Sequence, residues 1–78
     1  MIRIIAQYGK NESYQFDHVA KIVYMDSVMG FESEVVVEGD KLLSHHYPID
    51  RTLWIHSENE IHSISHTGLR TISVSKIE

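Results

Sequence analysis

The sequence predicts an all-β domain of six or seven short antiparallel strands, folded as a small meander barrel or a sandwich. Three observations predict it. Apolar and polar residues alternate with period two along most of the chain. Short runs of turn-forming residues such as Gly9-Lys10-Asn11-Glu12 and Gly39-Asp40 separate those stretches. No segment carries a clean amphipathic helical stripe. With 78 residues, 42% of them hydrophobic, the chain holds one domain and has no room for a second core.

The first strand sets Ile2, Ile4, Ala6 and Tyr8 against Arg3, Ile5 and Gln7. Residues 13–16 follow as an extended piece, and residues 19–25 are rich in β-branched residues, as a buried strand requires. A helix over 18–29, in an α+β fold, is the alternative, with Asp17 as its cap and Gly30 closing it. The wheel argues against it, because Val19, Ala20, Ile22, Val23, Tyr24, Met25, Val28 and Met29 spread round the whole circumference. Phe31, Ser33, Val35 and Val37 then share one face of a strand whose other face is Glu32, Glu34, Val36 and Glu38. After Gly39-Asp40-Lys41, the alternation of Leu43, His45, Tyr47 and Ile49 predicts a returning strand, and Pro48, which has no ladder donor, marks its end or a sheet edge. Leu53 and Ile55, the polar run Ser57-Glu58-Asn59-Glu60 and residues 61–66 predict a hairpin, and residues 69–77 the final strand.

Composition removes several functions. No apolar run approaches the ~20 residues of a membrane helix, and the N-terminus lacks the charged lead and apolar stretch of a secretory signal, so the expectation is a cytoplasmic protein with no membrane contact. The absence of cysteine excludes disulfides, thiolate zinc sites and thiol nucleophiles. The seven lysines and arginines are scattered singly through a chain of net charge −4, which argues against direct nucleic-acid binding. A core this small yields little net stability, and a homodimer is the expected remedy.

Six histidines, His18, His45, His46, His56, His62 and His66, are an excess for this length and raise a metal hypothesis. His62 and His66, four apart on a strand, lie about 13 Å apart and cannot share an ion. If Glu58 to Glu60 form a three-residue loop, His56 faces His62 across the hairpin at a distance zinc or nickel could bridge, with Glu58 or Glu60 adding an oxygen; otherwise no cofactor is implied. Protonating all six histidines would turn the formal charge from −4 to +2, so a response to mild acid is a further expectation. Phosphate-cradling glycine loops, nucleophile elbows and dinucleotide fingerprints are absent, so catalytic residues are not assigned and an enzyme is disfavoured.

The acidic row carries the functional expectation. Glu32, Glu34 and Glu38 project from one strand face, Glu32 and Glu34 about 7 Å apart, with Asp40 just beyond, and could dock on a basic groove such as that of a nucleic-acid-binding protein. Charges on strand faces and edges also discourage aggregation, the simpler role. Trp54 alternates with Leu53 and Ile55 and so faces away from the side they bury, as a partner anchor would.

The run Phe16-Asp17-His18-Val19-Ala20-Lys21-Ile22, followed by acidic strands and by Tyr47-Pro48-Ile49, resembles the small acidic β-rich proteins that phages and mobile elements of Gram-positive bacteria carry. The resemblance implies an accessory intracellular protein that binds and inhibits a host protein such as a nuclease or defence factor, and transfers no site residues. The leading expectation is therefore a protein-binding module using Glu32, Glu34, Glu38, Asp40 and Trp54. A metal-binding or small hydrolytic protein using His56 and His62, and a self-assembling structural subunit, are the alternatives.

Overall fold

The computed structural model of the protein describes residues 1–77. Seven antiparallel strands form in chain order: β1 (Ile2–Gln7), β2 (Ser13–Phe16), β3 (Val19–Val28), β4 (Phe31–Glu38), β5 (Leu53–Ser57), β6 (Ile61–Ile64) and β7 (Thr71–Lys76). They pair into a three-stranded sheet, β2-β1-β7, and a four-stranded sheet, β4-β3-β5-β6. Of the two predicted architectures, the sandwich describes this arrangement. The sheets do not close into a barrel, so β2, β7, β4 and β6 each keep an edge.

The core lies between the sheets. Ile4 and Ala6 of β1 meet Ile22 and Tyr24 of β3, Val37 of β4, Leu53 and Ile55 of β5 and Ile64 of β6. Each comes from the apolar half of a period-two pattern, which is why the alternation located the strands. One feature of β3 lies outside that pattern. Val19 and Ile22, three apart, both point inward because the register against β5 slips between Val19 and Lys21, leaving Ala20 as the extra residue of a bulge.

The segment 18–29 is strand, not helix. Its apolar residues cover both faces because both faces of β3 carry them, Ile22 and Tyr24 inward and Val23 and Met25 outward. Met29 and Gly30, with φ of 53° and 85°, close a two-residue turn between the paired Val28 and Phe31. The end of this hairpin reaches past the core, leaving Met29 92% and Phe31 77% exposed.

The strand expected at 42–49 does not form. Gly39 leaves β4 with φ 64°, and Gly39–Leu43 wind into a 3-10 helix, η1, that buries Leu42. The rest of the segment crosses β3 without joining a sheet. The Tyr24 hydroxyl lies 2.6 Å from His45 Nε2, the Tyr47 hydroxyl donates to the Leu42 carbonyl at 2.8 Å, and Arg51 Nη1 donates to the Met25 carbonyl at 3.3 Å. The alternating Leu43, His45, Tyr47 and Ile49 therefore reflect side-chain packing of a crossover, while Pro48 and Gly39 deny it a ladder. Burial pushes the Tyr47 phenol up to about 12, which keeps this strut neutral and able to donate.

Candidate functional site

The outward face of the four-stranded sheet is set by register. On β4, Glu32, Glu34, Val36 and Glu38 alternate outward, and β3 places Ser27, Met25, Val23 and Lys21 directly opposite them. Val23 in turn pairs with Trp54 of β5, which pairs with Ser63 of β6. Val36, Val23 and Trp54 thus form an apolar row across three strands, about 10 Å long at the usual strand spacing. Met25 lies beside it, and Ile61 extends the apolar character to β6 through its pairing with His56.

Much of this row stands in water. Val36 is 44% and Trp54 37% exposed, and Met25 and Ile61 are exposed as well. Next to Trp54 a groove of about 240 Å³ is walled by Met25, Asp50, Arg51, Thr52 and His66. Arg51 is anchored there, its guanidinium lying 3.5 Å from Asp26 while it donates to the Met25 carbonyl. The groove therefore combines charged, polar and apolar side chains around the Trp54 ring.

The alternation turns Glu32, Glu34, Glu38 and Trp54 outward each on its own strand, and the pairing of β3 with β4 and β5 brings them onto one face. Their electrostatic roles differ. Glu38 sits opposite Lys21, which offsets its charge, whereas Glu32 and Glu34 face Ser27 and Met25 and carry the free negative charge of the face. Asp40 is not part of it. It lies in η1, beside a recess bounded by Gly39, Leu42 and Lys76, because the 3-10 turn carries the chain off the sheet.

His56 and His62 are not brought together. Ser57 donates to the Glu60 carbonyl at 2.9 Å, so the turn has two residues, Glu58 and Asn59, and His56 pairs with Ile61 while His62 pairs with Ile55. One residue of register puts the two imidazoles on opposite faces. His62 Nε2 donates to Glu60 Oε2 at 2.8 Å, and its ring packs on Phe16 with centroids 5.0 Å apart.

Val23, Met25 and Val36 are the site residues that sequence reasoning missed. Val36 was visible as the apolar residue interrupting an acidic face, but its neighbours across β3 and β5 depend on pairing, which one chain segment does not encode alone. Among the described residues no helix is long and apolar enough to cross a membrane. Comparisons with protein-family models, with curated proteins and with solved structures find no match.

Proposed function

We propose that the protein is a small protein-binding module whose contact surface is the outward face of the four-stranded sheet, and that its partner presents an apolar centre flanked by basic groups. The observation that carries this reading is the placement of Val36, Val23 and Trp54 in one row bordered by Glu32 and Glu34. Aromatic residues surrounded by smaller apolar contacts are the usual energetic centre of an interface, and a one-sided acidic border steers a basic partner and fixes its orientation. A second copy of this chain, at net charge −4, offers Glu32 and Glu34 no excess of basic groups, so the favoured partner is a different protein. An inhibitory or accessory role on a basic nucleic-acid-binding protein fits this charge pattern.

Capture from host lysate at low salt, followed by identification of the bound protein, supplies the partner. Affinity is then measured for the natural chain, for Trp54→Ala and for the double charge reversal Glu32→Lys with Glu34→Lys. The reading requires an identified basic partner, released by salt and weakened by both variants. A partner that binds both variants as it binds the natural chain contradicts it.

A further inference from the structure

A sandwich of two open sheets has two lateral seams, and this one treats them differently. At the seam between β7 and β4, η1 inserts Leu42, which is 1% exposed. At the seam between β2 and β6 no segment of the described residues is inserted. The space is a cleft of about 380 Å³ lined by Tyr8, Tyr14, Phe16, Ile61, His62 and Ile64 among others. The Tyr8 and Tyr14 rings meet edge to face, their planes at 80° and centroids 5.6 Å apart, so they present two π faces at right angles. Phe16 lines the same space, its ring tilted 46° against that of His62.

Two carboxylates touch side chains that line this cleft. Glu12 Oε2 accepts from the Tyr14 hydroxyl at 2.8 Å and Glu60 Oε2 accepts from His62 Nε2 at 2.8 Å, while among the described residues no lysine or arginine lines the space. The bond to Glu12 raises the Tyr14 phenol and burial raises that of Tyr8, so both rings stay neutral. Orthogonal aromatic faces attract a cation through their quadrupoles, and two carboxylates at the border reinforce that preference and repel anions.

We infer that the cleft between β2 and β6 binds a substituted ammonium group, held against Tyr8, Tyr14 and Phe16 with Glu12 and Glu60 at its border. Such a group comes either from a small quaternary amine or from an alkylated lysine side chain. The site shares Ile61 with the margin of the proposed docking face but uses neither Trp54 nor the glutamates of β4, so its fate is separable from that of the docking face.

The test is an NMR titration at constant ionic strength with choline, with its neutral isostere 3,3-dimethyl-1-butanol, and with a peptide containing trimethyllysine beside its unmodified form. The expected result is saturable shifts at Tyr8, Tyr14 and Phe16 for choline or for the trimethyllysine peptide. The neutral isostere should bind at least about threefold more weakly than choline, and Tyr14→Leu and Glu12→Gln should each weaken the cation by about three- to tenfold. Tyr14 is 50% exposed, so its removal spares the core, and the same spectra report whether the fold persists. Preference for choline identifies a small-molecule source, and preference for the modified peptide a protein source. Equal binding of the isostere, shifts that map elsewhere, or no saturation with any cation would overturn the inference.

Discussion

The two sheets of this sandwich show opposite outer faces. On the three-stranded sheet, the outward positions are Arg3, Ile5 and Gln7 of β1, Ser13 and Gln15 of β2, and Thr71, Ser73 and Ser75 of β7. Its polar groups also serve one another: Arg3 Nε donates to Asp17 Oδ1 at 2.8 Å, and Gln15 Nε2 reaches the same carboxylate at 3.3 Å. The four-stranded sheet instead turns Val23, Met25, Val36, Trp54 and Ile61 outward beside Glu32 and Glu34. Both faces have the same task in the isolated fold, which is to meet water. The polar face shows how little apolar surface that task requires, and the row on the other face is the feature on which the proposed docking surface rests.

Stability should break the comparison most visibly within β5. Ile55 is fully buried between the sheets and its neighbour Trp54 faces outward. Ile55→Ala is expected to cost about 2–5 kcal/mol in chemical denaturation, and Trp54→Ala only about 0.2–1 kcal/mol from its cross-strand contact with Val23. Equal costs would mean that Trp54 belongs to the fold and not to an interface. The order should reverse in binding. Trp54→Ala is expected to weaken the partner by about 2 kcal/mol, roughly thirtyfold, while Gln15→Ala or Ser73→Ala on the polar face leaves affinity unchanged in the same calorimetric titration.

Charge gives a smaller contrast. Reversing Glu32 and Glu34 to lysine should cost about 1.4 kcal/mol, a tenfold loss at low salt, and the difference should shrink as salt is added. A loss independent of salt would point to packing in place of steering. The smallest effect belongs to the polar face. The hydrogen bond from Arg3 holds the Asp17 carboxyl below its ordinary value, so the pair's contribution is present above about pH 3.9, the unfolded value, and is lost as pH falls through the lowered folded one. Acid unfolding of Asp17→Asn should therefore show a shallower dependence on pH in that range, and an unchanged slope would deny the pair any role.

Period-two alternation made the strands legible, and it located the acidic row of β4 and the outward turn of Trp54 correctly because both are properties of a single strand. What depends on pairing was not legible. Val23 and Val36 become one surface with Trp54 only through the register of β3 against β4 and β5, and His56 and His62 part company through a turn one residue shorter than the spacing suggested. The segment after Gly39 misled for another reason. Its alternation is genuine, but a 3-10 turn sends Leu42 into a seam and the remainder packs by side chains, so periodicity there carries no ladder.

The most direct test of the docking face is a map of backbone amide and Trp54 indole shifts in the labelled protein as its identified basic partner is added. Changes confined to Val23, Met25, Glu34, Val36 and Trp54, with Arg3, Gln15 and Ser73 unmoved, are the predicted result. Changes centred on the three-stranded sheet would contradict the account.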